Sequence, residues 1–442
     1  MAITNNRMIC RTVFAATLLT APFQIFTSAI GQVYPSLTLL FALMLFLFYD
    51  VSKVLKTSLT MKTWAALVLV QIISLLWAVD IREGIREIVY SFSFFLVFGA
   101  SMQESKRNLR SLTLLIIAYS VLTLSQSTLV IYFRLIPDVK IQYLQGHLAE
   151  IFTSPNTLID LFGSERNNVL DEAKSGGFEV NANTGAAWVG MVGMVTMGLA
   201  IGLRRKLLFF VSLFHLVAVF FSGSKAASLL VCCLLALMYL TVYISKKFTP
   251  SRFAILISFV VLLTVAGSIV VAAGSATDFG QASSDTLDTR KLIWAHAAVE
   301  FLKHPILGQG FGGWSETFQA YAWRQKISDG YPPHDTLIRL WSQSGLIAAL
   351  VGAAFMIAFS VEVLTLVRSG SRTAAWIGAG IWCGFLFVSI QGLGENWGLL
   401  GTLRMSPFIA ACFALSRALG YYTSPATRSS VLNTSVRQIK YV

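Results

Sequence analysis

The sequence contains few charged residues for its length. Only 12% of its 442 residues are Asp, Glu, Lys or Arg, whereas 55% are hydrophobic. A single soluble core cannot bury that much apolar surface, which excludes a water-soluble globular protein. Apolar runs recur along the whole chain at about the length that a helix needs to cross a bilayer. The composition therefore predicts an all-α integral membrane protein.

Cysteine and histidine are also scarce. All five cysteines lie in or next to apolar runs, and none falls in a long polar segment. They predict neither a disulfide framework nor a zinc site. The five histidines include no pair with the spacing of metal ligands. We therefore expect no metal and no cofactor.

Twelve apolar runs divide the chain. We expect membrane helices at approximately 12–30, 33–49, 63–79, 88–103, 111–133, 184–203, 207–222, 226–245, 253–274, 337–363, 373–392 and 398–419. The first run follows two arginines and also fits a cleavable signal peptide. The expected organisation is a five-helix scaffold (1–133), a first large loop (134–183), central helices (184–274), a second large loop (275–336) and C-terminal helices with a tail (337–442).

Acidic residues are rare on one side of this predicted bundle. The two tails and the even-numbered loops carry 20 of the 34 basic residues but only 3 of the 21 acidic ones. The positive-inside rule therefore places both termini in the cytoplasm and both large loops outside. The net charge of +13 reflects this orientation, and we expect no nucleic-acid partner. Short amphipathic helices are expected in the two loops.

The second large loop ends with a histidine at the edge of an apolar run. Two prolines precede His334 and stop any incoming helix, while Asp335 and Thr336 are typical helix-capping residues. His334 is thus expected at the lipid–water boundary, where a neutral imidazole can act as a general base. The alternative is that His334 only caps the helix or contacts lipid headgroups.

Arg290 is a candidate anion contact in the same loop. Asp288 is a good N-cap, and apolar spacing predicts an amphipathic helix from Arg290 to Lys303 that Pro305 terminates. Arg290 would then project from the first turn, where exposed N–H groups also favour an anion. The alternative is an ion pair with a nearby aspartate, Asp285 or Asp288.

Two further cations and two asparagines are candidates. Lys225 lies in a short external turn between apolar runs and either binds an anion or snorkels to lipid phosphate. Asn181 and Asn183 follow a glycine pair and can bond sugar hydroxyls, unless they only form a turn. Arg339 has the spacing of an i,i+4 pair with Asp335, which competes with a role in anion binding.

Taken in order, these motifs resemble the O-antigen ligase and bacterial polysaccharide polymerase (Wzy-type) family. Two departures from the family pattern are Lys225, where an arginine is usual, and Asp335, where asparagine is common. The likeness covers roughly residues 177–350 and rests on Gly177-Phe178 with Asn181 and Asn183, on Ser222-x-Ser224-Lys225, on Arg290-x-x-x-Trp294 with Pro305-x-x-Gly308-x-Gly310, and on His334 followed by Gly345.

The resemblance implies a GT-C-like, metal-independent inverting glycosyltransferase of the bacterial inner membrane, with its active site facing the periplasm. It would polymerise undecaprenyl pyrophosphate-linked repeat units into exopolysaccharide or O-antigen, with a glycan or lipid-linked glycan as acceptor. His334 would accept the acceptor's proton, Arg290, Lys225 and Arg339 would bind the pyrophosphate, and Asn181 and Asn183 would bind glycan. A flippase and a chain-length regulator are the protein partners that this implies.

Two alternatives stay open. Within the family, a ligase would transfer finished polymer onto lipid A core, and acceptor choice does not follow from the chemical residues. In a different class, a polysaccharide transporter or lipid-linked sugar flippase would also have about twelve helices. Transporters commonly show two similar halves with broken helices near mid-membrane, and the sequence shows no such repeat.

Overall fold

The computed structural model describes residues 2–27, 35–49, 58–154, 157–158, 161, 167–245, 278–327, 331, 333–369, 371–395 and 397–423. Within these ranges all regular structure is helical, apart from two isolated β-bridges. The α-helices are α1 Ala2–Thr20, α2 Leu37–Met44, α3 Leu59–Ser74, α4 Ile81–Arg107, α5 Leu109–Leu122, α6 Leu124–Leu135, α7 Pro137–Gln145, α8 His147–Phe152, α9 Asn167–Leu170, α10 Ala182–Leu203, α11 Lys206–Phe221, α12 Lys225–Ser245, α13 Asp278–Lys303, α14 Trp314–Gln325, α15 Thr336–Val367, α16 Arg372–Gly392 and α17 Ser406–Thr423.

Seven helical segments of the described chain are long and apolar enough to cross a membrane. They are Leu59–Trp77, Ile81–Arg107, Leu109–Leu135, Ala182–Leu203, Lys225–Ser245, Thr336–Val367 and Arg372–Gly392. Met8–Thr20, Leu37–Leu47 and Lys206–Phe221 are apolar but shorter. These segments confirm the all-helical membrane class, while the predicted helix at 253–274 lies outside the described residues.

Two predicted helix positions were wrong. The first helix ends at Thr20 instead of residue 30, because Pro22 cannot continue a helix. The last helix begins at Ser406 instead of residue 398. Gly401 turns the preceding chain with a positive φ of 74°, a conformation that glycine adopts without steric cost.

Helices α10 and α16 form the centre of the bundle. About 89% of the apolar part of α10 and 78% of that of α16 are buried inside the protein. These two helices are therefore more enclosed than the other candidate spans. Gly198 and Gly380 bring their backbones together, since a Cβ on either would lie 2.8 Å from the other's Cα. Gly190 contacts Phe387 in the same interface, so the two helices run antiparallel. The start of α10 therefore lies beside the end of α16.

The second large loop docks into a break in α15. Gly345 has φ 81° and ψ 179°, which interrupts the helix and leaves two carbonyls without helical partners. The Ser342 carbonyl accepts from the Gln309 N–H at 2.9 Å, and the Gln343 carbonyl accepts from the Gly310 N–H at 2.8 Å. These backbone bonds fix the chain after α13 against α15.

Helix α13 is longer than the sequence predicted. It begins at Asp278, so Asp288 is not its N-cap and Arg290 lies in its interior. The stretch from residue 281 to 303 contains neither glycine nor proline, and nothing in it stops the helix earlier. The predicted end before Pro305 is confirmed. Arg290 therefore does not lie in the first turn of its own helix, where free N–H groups would help it to bind an anion.

Candidate functional site

His334 lies at the mouth of α15, one residue before the helix cap. Its φ of 50° is in the left-handed region, where a non-glycine residue is strained by about 1–3 kcal/mol. The half-buried imidazole lies 5.8 Å from the ring of Tyr331, measured between centroids. The indole N–H of Trp294 donates to the Pro333 carbonyl at 3.1 Å. Trp294 is one turn after Arg290, so this bond holds the helix of Arg290 against the His334 segment.

Asp335 and Thr336 anchor this helix start as predicted. The Asp335 carboxylate accepts from the backbone N–H groups two and three residues later, at 2.8 and 2.9 Å. Burial raises the pKa of Asp335, although both N–H bonds act in the opposite direction. The Thr336 hydroxyl lies 3.1 Å from the Gly392 carbonyl and 2.7 Å from the Trp397 carbonyl. The turn that follows α16 is thereby attached to the start of α15.

Glu395, in that turn, connects two of the predicted site residues. Its Oε1 accepts from the Asn183 side-chain amide at 2.5 Å and lies 3.4 Å from Nη2 of Arg290. The Glu395 side chain is 10% exposed and that of Arg290 is 25% exposed. Burial raises the pKa of Glu395 to about 7, while Arg290 and Asn183 act to lower it. This carboxyl group thus titrates near neutral pH beside the arginine that was expected to bind pyrophosphate.

Gln391 brings a third motif to the same place. Its side-chain amide donates to the Asn183 carbonyl at 3.0 Å and to the Ser224 hydroxyl at 3.2 Å. Ser224 immediately precedes Lys225, which is exposed at the first residue of α12. The starts of α10 and α12 and the end of α16 therefore meet around one buried glutamine.

The two asparagines have protein partners in this structure. Asn181 caps α10, with its side-chain oxygen accepting from the N–H groups of Asn183 and Thr184 at 2.8 and 3.2 Å. Asn183 is bonded to Glu395 as described above. Asn181 thus has a structural role as the cap of α10, and Asn183 is a member of the carboxylate cluster.

The expected pair of Arg339 with Asp335 was wrong, and so was the alternative pair of Arg290 with Asp288, whereas the Asp285 side chain lies outside the described part of the structure. Arg339 pairs with Glu87 of α4, Nη2 to Oε2 at 3.4 Å, instead of with Asp335. Asp335 is engaged by the backbone of its own helix start, which keeps its carboxylate away from the i+4 position. Asp288 pairs with Lys291 at 2.7 Å, which leaves Arg290 to Glu395.

Sequence reasoning placed Glu395 in a tight external turn without a chemical role, and it did not single out Gln391. Both lie more than 160 residues from Ser224 along the chain, and no local pattern connects them. The available signal was an acidic residue in a short glycine-containing turn between two apolar runs, a costly position unless the charge has a partner.

A cavity of about 450 Å³ adjoins this cluster. Arg339, Trp397 and Arg404 line it, whereas His334, Arg290 and Lys225 do not. Arg404 precedes α17 and has a side chain that is only 2% exposed. The predicted site residues thus fall into two neighbouring groups, one around Glu395 and one around the cavity.

The arrangement around Glu395 fits acid–base chemistry at a charged substrate. A half-buried imidazole can accept a proton near neutral pH. A guanidinium held by a carboxyl group that titrates near pH 7 can exchange that partner for another anion. These two properties suit the reaction of a hydroxyl group with a substrate that carries phosphate.

Comparison with known proteins confirms the resemblance seen in the sequence. Residues 208–352 match the family model Wzy_C, described as O-antigen ligase. The match covers about a third of the chain, from α11 to the middle of α15, and includes Lys225, Arg290, His334 and Arg339. Asn183 and Glu395 lie outside it. No curated protein matches the chain.

The match and the apolar helices together support a multi-pass inner-membrane protein of lipopolysaccharide or polysaccharide biosynthesis. Lipid-linked glycans and membrane lipids are the partners that this family implies. Over residues 208–352, the chain is therefore similar to the O-antigen ligase, or Wzy-type, family.

Proposed function

We propose that this protein is a metal-independent, inverting glycosyltransferase that polymerises undecaprenyl pyrophosphate-linked repeat units into exopolysaccharide or O-antigen. One observation carries the proposal. The Trp294 bond to Pro333 and the Thr336 bonds to the turn of Glu395 hold Arg290 and His334 on adjoining segments. A cation and a base are thereby available to a leaving diphosphate and an attacking hydroxyl.

The reaction forms one glycosidic bond and breaks one. A hydroxyl oxygen of the acceptor attacks the anomeric carbon of the donor, and the bond from that carbon to the pyrophosphate oxygen breaks. The electron pair leaves with the undecaprenyl pyrophosphate, and the hydroxyl proton passes to a ring nitrogen of His334. Direct attack inverts the anomeric centre. A positioned base contributes roughly 10²–10⁴-fold to such a rate.

Arg290 and Lys225 stabilise the negative charge that collects on the leaving group. Each charged hydrogen bond of this kind contributes about 1.5–3 kcal/mol. Lys225 supplies a point charge and cannot form the bidentate fork of an arginine, so Arg290 carries the larger share. Arg339 is already paired with Glu87 and takes a secondary role.

Glu395 keeps Arg290 in place when no donor is bound. The 3.4 Å separation from Arg290 is at the long end for an ion pair, and the pKa of about 7 makes the carboxyl group easy to neutralise. A diphosphate carries more negative charge than one carboxylate, so it displaces Glu395 from Arg290. Asn183, released with Glu395, then becomes available for a sugar hydroxyl.

The orientation that we propose places the starts of α10, α12 and α15 at the periplasmic face and both termini in the cytoplasm. The charge asymmetry of the loops supports it. A donor assembled inside the cell must then cross the membrane first, so a flippase supplies it. A chain-length regulator is the second proposed partner.

A ligase that moves finished polymer onto lipid A core is the second candidate. The description of the matched family model, O-antigen ligase, favours it. Both reactions use the same bond changes at the same residues, and they differ only in the acceptor.

The test is His334→Ala in cells that lack the native gene, with surface glycan resolved by length. His304→Ala is the matched control. His304 is an exposed histidine directly after the end of α13, and it belongs to neither group of site residues. We expect His334→Ala to lower transfer at least 100-fold, and His304→Ala to leave it unchanged, at equal amounts of protein in the membrane.

The products distinguish the candidates. Single repeat units left on the periplasmic carrier support the polymerase, whereas full-length polymer left on its carrier supports the ligase. Repeat units that accumulate on the cytoplasmic leaflet would identify a flippase. Normal glycan from His334→Ala would refute the catalytic role of the histidine.

A further inference from the structure

The cavity beside the Glu395 cluster is a second candidate site, and Arg339 is the one residue of its lining to which the proposed reaction gives a role. Its volume of about 450 Å³ is within the range of pockets that hold small molecules. Its walls come from α4, from the start of α15, from the chain after α8 and from the turn before α17. The chain after α1, Trp64 of α3 and the turn before α10 also line it, so seven separate parts of the chain enclose it.

The positive and negative charges of these walls do not balance. The cavity is lined by three arginines, Arg86, Arg339 and Arg404, and by two glutamates, Glu87 and Glu179. Arg339 lies 3.4 Å from Glu87, and Arg404 lies 3.5 Å from Glu179. Arg86 has no carboxylate of its own within ion-pair distance among the described residues, so the lining has an excess of one positive charge.

Arg404 lines the cavity and has one guanidinium nitrogen without a hydrogen-bond partner among the described residues. Its Nε donates to the Gln24 side chain at 3.0 Å and its Nη2 donates to the Phe152 carbonyl, but its Nη1 is buried without a hydrogen-bond partner in the described part of the chain. The side chain is only 2% exposed. A buried charged donor without an acceptor is unfavourable, so a ligand that brings an oxygen to this position would stabilise it.

The other walls are suited to a sugar. Thr153 and Thr402 contribute hydroxyl groups, and Tyr90, Phe178 and Trp397 contribute aromatic faces. Sugars present hydroxyls at their edges and C–H groups on their faces, which match this mixture. The cavity is also close to the reacting residues, because Arg339 is only five positions after His334.

We propose that this cavity binds one acidic sugar residue of the glycan, with its carboxylate on Arg404 Nη1 and Arg86. The single excess charge of the lining matches a sugar with one carboxylate better than a neutral sugar or a diphosphate. The inference rests on the proposed function, since it takes the ligand to be part of the transferred or accepting glycan. It adds a preference for acidic repeat units, which the reacting residues do not require.

The test measures binding without turnover. The purified protein in lipid nanodiscs is titrated with a glucuronic acid–glucose disaccharide and with the matched glucose–glucose disaccharide, by calorimetry. We expect the acidic disaccharide to bind at least about 10-fold more tightly, which corresponds to one charged hydrogen bond. Arg86→Gln should remove most of this preference. Arg82→Gln is the control, because Arg82 is exposed one turn earlier on α4 and does not line the cavity.

Three results would overturn the inference. They are equal affinity for both disaccharides, an equal loss in the Arg82→Gln and Arg86→Gln variants, and displacement of the disaccharide by an equal concentration of inorganic pyrophosphate. His334→Ala should bind the acidic disaccharide as the wild type does. If His334 is not catalytic, only the glycan-transfer assay changes its outcome. If the cavity does not bind an acidic sugar, only the calorimetric binding measurement does.

Discussion

At the scale of single residues, Glu395 shows how burial changes the chemistry of a carboxylate. An exposed glutamate would be ionised throughout the physiological range, whereas burial raises the pKa of this group to about 7. Its neighbours Arg290 and Asn183 favour the charged form and keep the pKa from rising further. The Arg290–Glu395 ion pair therefore forms fully only above pH 7.

The Glu395→Gln variant tests this titration through stability. Between about pH 4.5 and 7 the folded protein keeps a proton that the unfolded chain has released, so wild-type stability falls as the pH rises through this window and levels off above it. A shift of this size is worth about 2–4 kcal/mol across the window. Glu395→Gln cannot titrate and should lack this contribution. Thermal melting in detergent at several pH values measures the difference.

Glu316→Gln provides the control for that measurement. Glu316 is an exposed carboxylate on α14, so its replacement should leave the pH dependence of the wild type unchanged. A Glu395→Gln protein whose melting temperature follows the wild-type pH profile would contradict the raised pKa.

At the scale of elements, the glycine motifs build a joint between the second large loop and α15. The break at Gly345 frees two carbonyls, and the loop supplies the N–H groups of Gln309 and Gly310. Gly308 has a φ of 69° and packs its backbone against that of Gln343 and Gly345. The glycines of the motifs after α13 and in α15 thus have a structural role, because they determine where α13 lies relative to α15.

Gly345→Ala should break this joint. A side chain at this φ is strained by about 1–3 kcal/mol, and its Cβ would collide with the Ile306 carbonyl oxygen. We expect a lower melting temperature and loss of glycan transfer, because Arg290 is no longer held beside His334. Gly420→Ala is the matched control, since a Cβ there meets open space in α17. Equal melting temperatures for both variants would refute the role of the joint.

At the scale of the whole molecule, orientation follows from where the basic residues lie. The loop between α10 and α11 contains Arg204, Arg205 and Lys206, whereas the segments around Glu395 balance basic with acidic residues. Cytoplasmic loops retain Lys and Arg, so the two ends of the bundle face different compartments. We therefore propose that the site lies at the periplasmic end.

Cysteine labelling tests this orientation. Lys291 is 63% exposed on α13, and Lys206 is exposed at the start of α11. In intact cells with a permeable outer membrane, a maleimide that cannot cross the inner membrane should label Lys291→Cys above the wild-type background. Lys206→Cys should react only after the inner membrane is opened. The reverse order of labelling would place the site in the cytoplasm.

The local features of the sequence predicted a good part of this protein. Apolar run length predicted the all-helical membrane class, Pro305 predicted the end of α13, and Asp335 predicted the start of α15, because each effect acts over a limited stretch of chain. Local pattern failed at the start of α13, where a good capping residue lies inside a longer helix.

The sequence by itself determined the membrane class, the family resemblance and the order of the motifs, since hydrophobic length and short motifs are properties of neighbouring residues. Only the tertiary structure decided which charges are partners. Glu395 lies 105 residues from Arg290 and 212 from Asn183, and Arg339 bonds Glu87 instead of its neighbour Asp335. Helix packing brings these groups together. An unpaired charge is unfavourable when it is buried, so each of these groups pairs with an oppositely charged one. Sequence separation does not show which one that is.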